Sequence, residues 1–184
     1  MLVHAHGFAV TSGIAEHVHV ELDTRGGLPG FSVVGLAGGA ARDARERVQA
    51  ALLNSGFAFP RRRLTANLAP AVAARCAPAF DLALACCVLA AQEQIDPARL
   101  ARVGLFAELG LGGDLRPCPW VTSAAEAAES AALGGLVVAH ADLGPARAAG
   151  ALAVVGFHRL ADAAALLAAG AAQNGPGGVR RSGR

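Results

Sequence analysis

The sequence contains no lysine; all 16 of its basic residues are arginine. Without a side-chain ammonium group there is no Walker A phosphate loop, no Schiff-base site and no Ser-Lys dyad. Arginine without lysine, together with 45 alanines in 184 residues, is what GC-rich coding produces, so the absence has a codon-usage cause and a chemical consequence. Aromatic residues are only 4% and charged residues 16%, and the net charge of +2 is too small for a bulk electrostatic footprint on a polyanion. The longest apolar run, Leu82 to Ala91, is ten residues, against the roughly 20 that a membrane span requires. The amino terminus, MLVHAHGFAV, lacks the basic region and cleavage site of a secretory signal. Cys76, Cys86, Cys87 and Cys118 have neither metal-site nor disulfide-framework spacing, which fits reduced thiols in a cytoplasmic protein.

What is present suffices for one domain with a sizeable core: 54% of residues are hydrophobic, although many are small alanines. Val18, Val20 and Leu22 alternate with His17, His19 and Glu21, the period of a half-buried strand. Thr11-Ser12-Gly13 turns this strand from a preceding one over Leu2 to Val10, making a hairpin. The punctuated stretch Gly26 to Gly30 leads to a short strand, Phe31 to Val34, and a helix is expected over Ala40 to Ser55. Its inward stripe is Ala41, Ala44, Val48, Ala51 and Leu52; Asp43 and Arg47 pair on the wet side and Gly56 ends it. A strand follows near Leu64 to Asn67, then an apolar helix, Leu82 to Gln92, with Asp81 as N-cap. A second hairpin is expected around Gly112-Gly113, with arms Leu105 to Leu109 and Leu115 to Pro117. Ser123 and Glu126 form a capping box for a helix to about Leu133. Beyond it, strands at Leu136 to Ala139 and Leu152 to Val155 alternate with helices after Asp142 and over Arg159 to Ala169. The fold class is therefore α+β: a mixed sheet packed with helices, with β-α-β units in the C-terminal half. The domain spans 1–170, and 171–184, rich in Gly and Arg, reads as a disordered tail or linker start.

Four stretches carry a resemblance: Arg25 to Leu36 (RGGLPGFSVVGL); Ala44 to Leu52 (ARERVQAAL) with Asn54 to Phe57; Phe59 to Pro70 (FPRRRLTANLAP); and Pro78 to Leu82 (PAFDL). Glu108-Leu109 and Gly113 to Pro117 continue it. Together they resemble the N-terminal domain of the competence protein ComM (YifB-like) family of magnesium-chelatase-like AAA+ ATPases. The resemblance implies a two-layer fold shared with the Lon proteolytic domain, GHMP kinases and a ribosomal-protein domain. It also implies an AAA+ motor following the domain, with ATP and magnesium belonging to that motor alone, and a hexameric ring that moves DNA branches during natural transformation.

Carried over residue by residue, the resemblance sets Ala77-Pro78-Ala79 over the Gly-Pro-Ser of Lon and puts Lon's lysine near Thr122. Ala79 has no oxygen to attack with, so no catalytic residue and no enzyme activity are expected. Arg61, Arg62 and Arg63 are the densest positive charge. Strand alternation sends Arg61 and Arg63 to one face and Arg62 to the other, and the run serves either as a solvated strand guard or as phosphate contacts to DNA. Arg116 is a further nucleic-acid candidate; Arg42 and Arg45 read as helix-surface partners of Glu46. His4, His6, His17 and His19 form two H-x-H pairs that paired strands would bring to one face, but exposed strand positions account for them and no metal is expected. Gly35 to Gly39 read as turn glycines, with anion binding a weaker alternative. Departures from the family pattern fall at Ala74 to Ala77, where alanine replaces a glycine, and at Cys118 to Trp120, where an Arg-Gly pair is usual. The expected function is a non-catalytic domain that aids DNA engagement or ring assembly as part of a homo-oligomer; the alternative is a stand-alone structural or oligomerisation domain without DNA binding.

Overall fold

The computed structural model describes residues 1–168; the expected tail at 171–184 lies outside them. Strands β1 (Leu2–Thr11) and β2 (Ile14–Arg25) form the expected hairpin. Ser12 and Gly13 at its tip have φ of 53° and 83°, the two positive values of a type I′ turn, whose twist matches that of the strands. Strand β3 (Gly30–Leu36), helix α1 (Ala40–Asn54) and strand β4 (Arg63–Val72) follow, with β3 and β4 parallel. At Gly35 the β3 register shifts, φ is +85°, and a Cβ would stand 2.3 Å from the Leu68 carbonyl oxygen. Only glycine fits there, so backbone geometry accounts for this member of the Gly35 to Gly39 segment.

A 3-10 segment, Ala74–Phe80, runs directly into α2 (Asp81–Ala90), every residue of which is buried. The short α3 (Pro97–Leu100), capped by the Asp96 side chain, precedes β5 (Gly104–Phe106). The second hairpin is narrower than expected, pairing only β6 (Glu108–Leu109) with β7 (Leu115–Arg116). Leu105 belongs instead to β5 in the main sheet, where its side chain is fully buried. Then come α4 (Val121–Ser130), β8 (Leu136–Ala139), α5 (Leu143–Ala148), β9 (Val154–Phe157) and α6 (Leu160–Ala168). The seven-stranded sheet has the order β3-β4-β2-β1-β5-β8-β9. It is antiparallel at β4/β2 and β2/β1 and parallel elsewhere. This is the mixed sheet with helices that the sequence implies.

The layering differs from the two-layer expectation. Along β1, Val3, Ala5 and Ala9 join one core with α1, α2 and α6, while Phe8 joins a second core with α4 and α5. Side chains alternate across a strand, so the cores lie on opposite faces, and β8 repeats the pattern with Val137 in the first and Leu136 and Val138 in the second. Helices thus cover both faces of the C-terminal half, as parallel strands require. The aromatic ring of Phe80 lies against β1 where Gly7 leaves room, since a Cβ there would meet the ring at 2.7 Å. On the other half, the face of β3, β4 and β2 opposite the first core is polar. Asn67 Nδ2 donates to Glu21 across it at 3.2 Å, and Ser32 meets Thr65 at 3.3 Å.

Candidate functional site

The 3-10 segment and the β6/β7 hairpin flank a cleft of about 460 Å³. Cys76, Pro78, Ala79, Glu108, Cys118 and Trp120 help line it. No nucleophile and base meet there at the matched positions: Ala79 ends at a methyl group and Thr122 is exposed on α4. The Cys76 thiol donates to the Val10 carbonyl at 3.1 Å. Burial pushes the Cys118 thiol up to about 12, so it carries no thiolate at neutral pH. Ala77 is buried in the 3-10 segment and is not among the positive-φ residues, so alanine fits there without backbone strain. In the second departure, the Cys118 amide donates to Asp142 at 2.9 Å, and the exposed Trp120 ring rests on the hairpin turn, 3.4 Å from where a Gly13 Cβ would stand. Trp120, at φ 68°, precedes α4. Ser123 is not the cap. It lies inside the helix, and its hydroxyl accepts the Ala15 amide of β2 at 2.9 Å.

Beneath this cleft is a charge pair that the local pattern misplaced. Asp81 is fully buried as the first residue of α2, not its N-cap. Its carboxylate accepts from Arg47 Nε at 2.7 Å and Nη2 at 3.0 Å, and from the Leu109 amide at 3.3 Å. Arg47 therefore faces inward from α1 and does not pair with Asp43 on the wet side; its side chain is 23% exposed. Desolvation raises the Asp81 pKa to about 6, with the Arg47 hydrogen bond and charge opposing the rise. The same hydrogen bond raises Arg47 against its own desolvation. With the forked guanidinium in place the pair is ionised at neutral pH. It ties α1, α2 and β6 together. Neighbouring Arg45 turns to the Phe31 carbonyl, which it reaches at 3.0 Å, instead of Glu46.

Arg61, Arg62 and Arg63 are exposed at one end of the sheet. Alternation begins only at Arg63, where β4 starts. Arg61 and Arg62 precede the strand and line one hollow with Met1 and Glu93; Arg63 lines another with Glu21, Asp23 and Arg25. That corrects the expected division of Arg61 and Arg63 from Arg62. Arg63 stands opposite Arg25 in the β2/β4 register, and Arg25 is paired with Asp23. Among the described residues, none of Arg61, Arg62 and Arg63 makes an ion pair. Arg116 differs: its Nε donates to Asp114 at 2.9 Å, and Glu108 lies at 3.9 Å, so its charge is already offset.

A family profile described as subunit ChlI of Mg-chelatase matches residues 20–142. The chain belongs to this family. Over 112 residues it is 40% identical to the competence protein ComM of Haemophilus influenzae, a stretch covering 61% of this chain and 22% of that protein. It is also 40% identical over 117 residues to YifB of Escherichia coli, covering 63% of this chain and 23% of YifB. The Salmonella typhimurium YifB gives 40% over 111 residues. The ChlI-family domain is therefore ComM/YifB-like, and it spans about a quarter of the length of these relatives.

The match includes Arg47, Asp81, Ala79 and Arg61 to Arg63, and it starts after the hairpin histidines. Here the β1/β2 register acts: His6 stands opposite His19, and His4 opposite Glu21. Partial burial, with neighbouring histidines adding to the effect, lowers the pKa of both His6 and His17. The sequence does carry one signal for the Arg47 pair. Asp81 is a lone charge at the head of an otherwise apolar helix and needs a partner, but nothing local says which of 16 arginines supplies it. No helix among the described residues is long and apolar enough to cross a membrane. For the ATP and magnesium implied for this family's motor, the chain offers neither lysine nor phosphate loop, so its residues do not fit them.

Proposed function

We propose that this ChlI-family domain is a non-catalytic N-terminal module of a ComM/YifB-like ATPase, engaging DNA or supporting a ring during DNA processing in the cytoplasm. The observation that carries the reading is the exposed run Arg61, Arg62 and Arg63, which makes no ion pair among the described residues and is set at one end of a solvent-facing sheet. Guanidinium groups held there meet phosphate oxygens without reading bases, and no aromatic side chain lines the Arg61 and Arg62 hollow for stacking. The non-catalytic role and the Lon-like ancestry of the fold are supported together by Ala77-Pro78-Ala79 entering α2 beside a cleft where no dyad forms. ATP and magnesium belong, in this reading, to an AAA+ motor on the C-terminal side. Arg116, held by Asp114 and Glu108, is at most an auxiliary contact.

Fluorescence anisotropy with a labelled oligonucleotide at low salt tests the reading. Binding that weakens with salt, and weakens further when Arg61, Arg62 and Arg63 all become alanine, supports it. Unchanged binding by the triple variant removes the assignment. A second reading, an assembly domain without DNA affinity, is favoured by Leu28, which is 89% exposed on the β2–β3 loop and shares a hollow with Arg63. Light scattering distinguishes them: a concentration-dependent oligomer that does not bind DNA supports assembly alone.

A further inference from the structure

The face of the β1/β2 hairpin opposite the first core carries three imidazoles at the edge of α4, two half-buried and one exposed. His17 and His19 are two residues apart on β2, so their side chains share a face. His6 on β1 is directly opposite His19. The ring centroids lie 4.9 Å apart for His6 and His17, 4.6 Å for His17 and His19, and 5.5 Å for His6 and His19. One ring nitrogen from each residue lies within 4.8 Å of the other two.

We propose that His6, His17 and His19 form a binding site for a zinc ion. Tetrahedral zinc at about 2.0–2.1 Å from each imidazole nitrogen separates its ligands by roughly 3.3 Å, a spacing that small side-chain rotations reach from here. Three nitrogen donors, with no carboxylate or thiolate among them, suit zinc and disfavour the oxygen-seeking magnesium and calcium. The tautomers also suit it. His6 Nε2 lies 3.0 Å from the Ala101 carbonyl oxygen, and a carbonyl only accepts. The His6 proton is therefore on Nε2, leaving Nδ1 with a free lone pair. His6 Nδ1 is 2.8 Å from His17 Nε2, so in the metal-free hairpin His17 donates that hydrogen bond. When zinc enters, the His17 proton moves to its own Nδ1 and Nε2 turns its lone pair to the ion, with no net proton released. The Ala101 carbonyl orients His6 as the outer-shell partner that ligating histidines ordinarily have. His19 is exposed, so the fourth position faces solvent and is completed by water. The ion links both strands of the hairpin and, through Ala101, the turn after α3. All three ligands precede residue 20, where the ChlI-family match begins.

Zinc alone, titrated into the full 184-residue chain against a chromophoric chelator, tests the site. The expected result is one zinc per chain and a raised Tm, because the ion binds the folded state. His6→Gln, His17→Gln and His19→Gln each weaken affinity by at least about tenfold, while His4→Gln, whose ring faces Glu21, does not. His19 is exposed, so its variant keeps the fold even if the other two do not. Cobalt substitution reports the donor atoms: a visible spectrum without the intense near-ultraviolet sulfur-to-cobalt band is expected. Absence of saturable binding, unchanged affinity in His19→Gln, or a sulfur band from the cysteines overturns the proposal.

Discussion

Arg47 and the Arg61 to Arg63 run use the same side chain in opposite ways. Arg47 is a single guanidinium on α1, turned into the protein and forked onto the fully buried Asp81. Arg61, Arg62 and Arg63 are consecutive, exposed and free of ion pairs among the described residues. Charge density along the chain thus points to the run, whereas the interaction with the greater structural consequence belongs to the isolated residue. The difference follows from solvation. A surface guanidinium is satisfied by water and contributes little to stability, while a buried carboxylate without its partner is an uncompensated charge.

The largest effect that breaks this comparison is expected from Arg47→Met, which strands Asp81 and destabilises the domain by about 3–5 kcal/mol, read as a lowered denaturation midpoint. Replacing both partners, with Arg47→Met and Asp81→Leu, recovers much of the loss because no charge is left buried. A full loss in the double variant would show that side-chain packing matters more than charge.

The same pair sets a pH dependence. Asp81 titrates near 6 in the fold against an ordinary 3.8, so the native state holds this proton more tightly than the unfolded chain. Its contribution is complete below about pH 4 and is lost as pH rises through about 6. Removing Arg47 raises the carboxyl further, so the Tm deficit of Arg47→Met is largest near neutral pH and narrows on acidification. A deficit independent of pH would show that Asp81 is not the group responsible.

Ser123→Ala leaves the Ala15 amide without its acceptor and costs about 1 kcal/mol. If Ser123 were a helix cap, the loss would appear as fraying at the start of α4 instead, and amide exchange at Ala15 and at the α4 N-terminus separates the two. The smallest effect on stability belongs to Arg61, Arg62 and Arg63. Their triple alanine variant leaves Tm essentially unchanged; under the proposed DNA contact it lowers the salt dependence of binding by about one unit of slope for each phosphate that is no longer neutralised.

Much of the architecture was legible locally. The alternation of Val18, Val20 and Leu22 marked β2, and the stripe Ala44, Val48, Ala51 and Leu52 marked the buried face of α1. The two places where local pattern and structure part share a cause. Four-residue spacing places Arg47 and Asp43 on one helix face, and Glu126 follows Ser123 at capping-box distance. Both motifs are real local options that a distant partner displaced. In the candidate site, the arginine run was visible as composition, but its division between two hollows was not, because strand alternation starts only where β4 acquires neighbours.

Residue chemistry and short-range periodicity alone established that no lysine-dependent reaction occurs in this chain, that Ala79 offers no nucleophile, and that a strand hairpin precedes alternating helices and strands, although α3 and the separation of β5 from β6 carry no such local signal. These depend on side-chain identity and on repeats of a few residues, which the linear chain carries in full. Partner choice depended on folding. Arg47 meets Asp81 across 34 residues, Ser123 meets Ala15 across 108, and His6 reaches Ala101 across 95. No local spacing encodes such contacts, because sheet register and helix docking decide which distant polar groups become one another's replacement for water.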